Sequence, residues 1–176
     1  ASGTPTYGQA LTPGGATLTN VVGADVVTPV TTFVDTTGLT STSGNLIAGT
    51  HTGIQKVSAL GGADGGNYTF ANVLGDYTVD QLALTGAAIG AGTSVYASGL
   101  NPGAVSFGNI VSGDLVGSTA SVNTGATSTS GNFVVGSYTQ TAGPIVGADA
   151  ANYSFGGFTS AANYSITQLA LTGAAI

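Results

Sequence analysis

Any chemistry in this chain has to come from very few residues. The 176 residues include seven Asp (Asp25, Asp35, Asp64, Asp76, Asp80, Asp114 and Asp149), one His (His51) and one Lys (Lys56). Arg, Glu, Cys, Met and Trp do not occur. The best-spaced acidic set is Gly62-Ala-Asp64-Gly-Gly-Asn67 with its twin Gly147-Ala-Asp149-Ala-Ala-Asn152. Asp and Asn oxygens are hard ligands, so one reading is a pair of calcium loops holding the ion through Asp64, Asn67, Asp149 and Asn152. Calcium takes roughly six to eight oxygens, and each loop offers two such side chains with no Glu nearby. The other reading is a turn, in which Asp or Asn bonds its own backbone ahead of a strand; this is the expected one. Asn67, Asn152 and Asn163 each open an Asn-Tyr-Thr/Ser acceptor pattern for glycosylation, though a strand entry with a packed Tyr accounts for the same letters. His51 and Lys56 complete no catalytic set, since a nucleophile needs a base and an orienting acid beside it. Tyr138 stands where a second His51 would fall, and Lys56 falls in a gap after Gln140. Both are expected to be tolerated surface substitutions. An isopeptide bond from Lys56 to an Asp or Asn is weakened by there being one Lys for two repeats. No catalytic residue, cofactor or firm metal site is expected, and the chain is not expected to be an enzyme.

Composition narrows the partners. Charged residues make up 5% of the chain, against about 25% in ordinary domains. The net charge of −6 with a single Lys excludes a basic surface for nucleic acid. Without Cys there are no disulfides, thiol chemistry or Cys-ligated metals. No apolar run reaches the roughly 18 residues of a membrane helix, so the chain is not expected to span a membrane. Hydrophobic residues at 42% argue against a solvated disordered tail. No cleavable signal is visible, and Ala1 is expected to lie inside a longer or already processed protein.

These residues are positioned by an internal repeat. Gln81-Leu-Ala-Leu-Thr-Gly-Ala-Ala-Ile89 recurs unchanged as Gln168–Ile176. Thr40-Ser-Thr-Ser-Gly-Asn45 recurs as Thr127–Asn132, and Tyr7, Leu11, Pro13 and Gly14 recur as Tyr96, Leu100, Pro102 and Gly103. The copies span residues 1–89 and 90–176, offset by 85 to 89 residues through small indels suited to surface loops. Ala1 reads as the continuation of Ile176, because Tyr7 is the seventh residue from Ala1 and Tyr96 the seventh after Ile89.

Within each copy the periodicity is that of strands. Tyr77–Thr85, Ala104–Val111 and Asn132–Thr139 are short, β-branched or aromatic, and end in turn formers. Turn signals recur every 8 to 12 residues or so, and Gly and Thr dilute every potential helical face. The expected fold is all-β: two small β-grasp-like or sandwich modules, 1–89 and 90–176, stacked end to end in a rod or fibre. Gln81, Leu82, Leu84 and Ile89, with their copies Gln168, Leu169, Leu171 and Ile176, are expected to form an inter-module strand that ends one module and begins the next. If separate chains build the fibre, the second copy of this segment would add to a neighbouring chain's sheet.

Thr6-Tyr7-Gly8-Gln9, the Gly-Ala-Asp-x-x-Asn-Tyr-Thr/Ser-Phe stretches and the Tyr-Thr/Ser-Val/Ile-Asp/Thr-Gln-Leu-Ala-Leu-Thr stretches resemble the MBG (YGX-type) and YDG repeats. Those repeats stand in tandem in large bacterial surface proteins of the filamentous-haemagglutinin, two-partner-secretion type. The second copy departs from the pattern at Tyr96-Ala97, where the family's Gly is missing, and Gln81 and Gln168 stand where a Lys is often seen. The resemblance implies extracellular β-modules at the bacterial cell surface, in adhesin stalks or biofilm-matrix fibres, with no catalytic residues. The expected partner is the chain itself, by head-to-tail repeats or neighbouring chains in a filament, with extracellular polysaccharide as a further candidate. A fibre also suits a chain with a single tryptic site and no Cys or Met to oxidise. The alternative is a carbohydrate- or surface-binding adhesin module that uses exposed aromatics among Tyr7, Tyr96 and Tyr138. Irregular Thr spacing argues against an ice-binding ladder, and short Gly-rich strands argue against a membrane β-barrel.

Overall fold

The computed structural model describes residues 4–173 and is β-rich. Its only helical turns among those residues are short 3-10 segments at Gly65–Asn67 and Ala150–Asn152. The sequence copies run 1–89 and 90–176, while compactness groups the chain differently. Unit 1 is Ala1–Leu82 with Ala151–Tyr153, and unit 2 is Ala83–Ala150 with Ser154–Ile176. Three residues encoded in the second copy thus belong to the first compact unit.

Unit 1 is built on an antiparallel sheet of β1 (Thr28–Phe33), β2 (Gly49–Gly61) and β3 (Leu74–Val79) in that order. Its strands are rich in Thr, Val and aromatics, which suit a pleated, half-buried surface. Period-two alternation turns Tyr77 and Val79 of β3 inward. They form a core with Tyr7, Leu46 and Ile54. Phe33 meets Tyr77 edge-on at 4.8 Å between ring centroids, a geometry worth about 0.5–1.5 kcal/mol beyond area burial. The long strand β2 is not straight: its register slips opposite Val30/Thr31 and again between His51 and Gln55.

The next strands are β4 (Leu82–Ala83), β5 (Ala88–Ile89), β6 (Gly92–Val95), β7 (Val105–Ser106), β8 (Ala120–Val122), β9 (Gly136–Tyr138), β10 (Gln140–Ala142), β11 (Tyr153–Ser154) and β12 (Tyr164–Thr167). In unit 2, β12 lies between β6, parallel to it, and β9, antiparallel. Strands β8 and β10 pair, as do β5 and β7. Tyr164, Ile166, Ile89, Ala142 and the amide of Gln140 are buried at its centre. Every buried side-chain N or O among the described residues has a hydrogen-bond partner, as burial of polar atoms requires.

The copies build their parts alike despite different letters. Tyr77 Oη accepts from Thr12 N at 3.3 Å, and Tyr164 Oη accepts from Asn101 N at 2.8 Å. Each Thr-Ser-Thr-Ser-Gly-Asn stretch folds into the same hairpin, with Ser41 N donating to Asn45 O at 2.9 Å and Ser128 N to Asn132 O at 2.8 Å. Of the segment expected to join the modules, Leu84 and Ile89 are buried, and Ala88–Ile89 pair with Val105–Ser106 within unit 2. Gln168, Leu169 and Leu171 are exposed. Ile176, the last of the expected strand residues, lies outside the described residues, as does Ala1.

Candidate functional site

The two Gly-Ala-Asp turns are the most alike of the candidate features. Asp64 Oδ2 accepts from Val26 N at 2.9 Å, while Asp64 N donates to Val26 O at 3.1 Å. Asp149 Oδ2 accepts from Leu115 N at 2.8 Å, while Asp149 N donates to Leu115 O at 3.2 Å. Each Asp therefore clasps one loop residue from both sides. The glycine two residues earlier is what lets the loop come so close. A Cβ on Gly62 would stand 2.3 Å from Val26 O, and one on Gly147 would stand 2.2 Å from Leu115 O. Both glycines also have positive φ, at +92° and +126°, which favours Gly. The carboxylates proposed for calcium are thus committed to backbone N–H groups. Among the described residues, no group of three or more His, Cys, Asp or Glu is placed to hold a metal ion.

The Asn residues of the two turns differ. Asn152 is buried in unit 1, where its Oδ1 accepts from Ala48 N at 2.9 Å. Beside it Tyr153 meets Tyr7 edge-on at 5.3 Å between centroids, and Gln81 Nε2 donates to Ala151 O at 2.9 Å. Asn67, the counterpart of Asn152, is exposed. Asn163 is also engaged: its Oδ1 accepts from Ser160 Oγ and Gln140 Nε2, each at 2.8 Å, and its Nδ2 donates to Ile89 O at 2.8 Å.

His51 corrects its expected surface placement. It is buried, with 8% of its surface exposed, and its Nε2–H donates to Ile47 O at 2.8 Å. Tyr138 does the same work in unit 2, donating to Val134 O at 2.6 Å. Both residues close a loop onto the carbonyl four residues back, which explains how a His and a Tyr can exchange. Lys56 pairs with Thr32 where Thr141 pairs with Ser121, so it has a counterpart in Thr141 and no gap lies there.

The aromatics put forward for carbohydrate are not exposed together. Tyr7 is fully buried, with its hydroxyl donating to Ser41 Oγ at 2.6 Å. Tyr96 is part-exposed and donates to Ser128 Oγ at 2.7 Å. Those contacts with Ser128 and Ser130 hold the Tyr96 phenol below its ordinary pKa. At the edge of unit 1, Tyr68 donates to Asp25 Oδ2 at 2.6 Å, which pushes its pKa up.

What these features define is a class, a tandem β-repeat protein whose polar side chains tie down its own backbone. No helix among the described residues is long and apolar enough to cross a membrane. No family model, curated protein or solved structure matches the chain.

The residue that sequence reasoning missed is Gln140. It is fully buried, accepts from Gly103 N at 2.7 Å, and donates to Gly90 O at 2.9 Å. Gln55 is its counterpart and accepts from Gly14 N at 2.5 Å. The available signal was that both copies keep a Gln here and a Gly 37 to 41 residues before it.

Proposed function

We propose that this chain is a structural repeat segment of an extracellular bacterial fibre, adhesin stalk or biofilm-matrix protein. It is non-catalytic, and its β modules stack head to tail. The MBG- and YDG-type repeats of two-partner-secretion adhesins are the family we propose for it. The observation that carries this reading is the duplication of the hydrogen-bonded framework. The Asp64 and Asp149 clasps, the His51 and Tyr138 loop closures and the Gln55 and Gln140 contacts each recur in place. A chain whose scarce polar groups are spent twice on the same framework is suited to a repeating building unit. With few charges, modules also pack closely side by side.

Electron microscopy of the native source, with antibodies to this chain, tests the proposal. The expected result is labelled filaments with a regular axial repeat. Labelling confined to a non-filamentous soluble fraction would overturn it.

A further inference from the structure

The same groove exists in both units, filled in one and open in the other. In unit 1 its lining includes Tyr7, Ala48 and Gln81, and Ala151-Asn152-Tyr153 occupy it. Asn152 caps Ala48 N, Tyr153 packs edge-on against Tyr7, and Gln81 holds Ala151 O. Tyr7 is 0% exposed, and Asn152 and Tyr153 are 3% and 2% exposed. In unit 2 the corresponding residues are Tyr96, Val135 and Gln168, which line an open groove with Val134, Leu169 and Leu171. Here Val135 is 46% exposed and Leu169 52%. Leu171 is 93% exposed, against 9% for its counterpart Leu84. So much bared apolar surface, beside a tyrosine whose twin Tyr7 is fully buried, marks an interaction site.

The occupant can be read from the molecule. What fills the groove in unit 1 is the end of a Gly-Ala-Asp-x-x-Asn-Tyr turn. The chain has one other such turn, and its Gly66 and Asn67 are exposed. That turn already has the shape the groove requires. It carries the same Asp clasp, and Asp25 holds the Tyr68 ring in place.

We infer that the open groove of unit 2 takes the Gly66-Asn67-Tyr68 turn of a second copy of this chain. Asn67 would cap Val135 N, and Tyr68 would pack against Tyr96. The inference rests on the repeat-segment reading and specifies its joint. Donor and acceptor surfaces differ, so the contact is heterologous and grows into open chains of copies.

Sedimentation velocity on the purified chain tests it. Leu171 and Asn67 are exposed, so Leu171→Asp and Asn67→Arg leave the fold intact, which circular dichroism checks. The wild-type chain should show a sedimentation coefficient that climbs without a plateau up to about 1 mM. Each variant alone should weaken association at least tenfold. An equimolar mixture should form dimers and stop there, because one partner keeps its turn and the other its groove. A wild-type chain that stays monomeric at that concentration would overturn the inference. So would association indifferent to Leu171→Asp, or a mixture that stays monomeric. If such a result came with labelled native filaments, the docking would fail and the fibre reading would stand. End-to-end growth without native filaments would give the reverse.

Discussion

The two copies share a framework and differ in what covers it. At the Gly-Ala-Asp turns the two sites match to within a few tenths of an ångström: both carboxylates clasp a loop residue, and both glycines admit its carbonyl. At the Tyr7 and Tyr96 grooves the lining is alike, but Asn152 and Tyr153 fill the first and bury Tyr7, while the second is open. The contrast separates two kinds of information in the repeat. Hydrogen bonds made within one copy are duplicated wherever the letters recur. Burial depends on a second piece of chain arriving, so identical letters end up in different surroundings. Gln81–Ile89 and Gln168–Ile176 have the same sequence, yet Leu84 is buried and Leu171 is bare.

The most damaging test of that contrast strikes the shared part. Gly62→Val and Gly147→Val each force a branched side chain into a backbone carbonyl at positive φ. Each should cost about 3 kcal/mol or more, read as a lowered midpoint in urea denaturation. If the clasps are equivalent, the two losses should agree to within about 1 kcal/mol. A large loss at one and none at the other would break the equivalence.

Next in size are the tyrosines that line the grooves. Tyr7→Ala removes a fully buried ring together with its edge contact to Tyr153. It should cost about 3–5 kcal/mol, the usual range for a buried aromatic. Tyr96→Ala takes away a part-exposed ring and should cost about 1–2 kcal/mol. Equal losses would mean that the groove of unit 2 is covered in solution, which monomer-dilution series would then reveal.

The Asp clasps themselves give a smaller effect. Asp149 is 3% exposed, whereas Asp64 is part-exposed. Asp149→Ala strands Leu115 N and should cost about 2 kcal/mol, and Asp64→Ala about 1 kcal/mol. Thermal denaturation of the two variants side by side measures the difference.

Much of the framework was legible in the letters. Alternation in Tyr77–Val79 announced a strand with Tyr and Val inward, and the recurring nonapeptide located the copies. The expectation of a turn at Gly-Ala-Asp follows from Asp's habit of bonding nearby backbone, though its true partner lies 34 or 38 residues away. The exchange of His51 for Tyr138 looked like surface drift, because a sequence lists side chains and does not show that both reach the same carbonyl. The assignment of Ala151–Tyr153 to unit 1 was out of reach for a related reason. Periodicity says that a turn recurs, whereas contact between distant segments is set by sheet pairing and burial. A buried Asn and an exposed Asn are written with the same letter.

The smallest effect concerns the turn left uncovered. Tyr68 donates to Asp25, and that bond favours the neutral phenol and raises its pKa. A group whose pKa is raised by folding lends stability below its unfolded pKa. That stability is lost as the pH rises through the folded value. Tyr68 should therefore help hold the Gly65–Tyr68 turn at neutral pH and release it in alkali. Tyr96 is shifted the opposite way by Ser128 and Ser130, so the two residues should ionise in a set order, Tyr96 first. Ring-carbon NMR titration of tyrosine-labelled protein reads both. Asp25→Ala should bring Tyr68 down toward the ordinary phenol range and leave Tyr96 unmoved. If the variant left Tyr68 unchanged, the ring would be held by something other than Asp25, and the turn could not be the ready-made insert that the groove of unit 2 calls for.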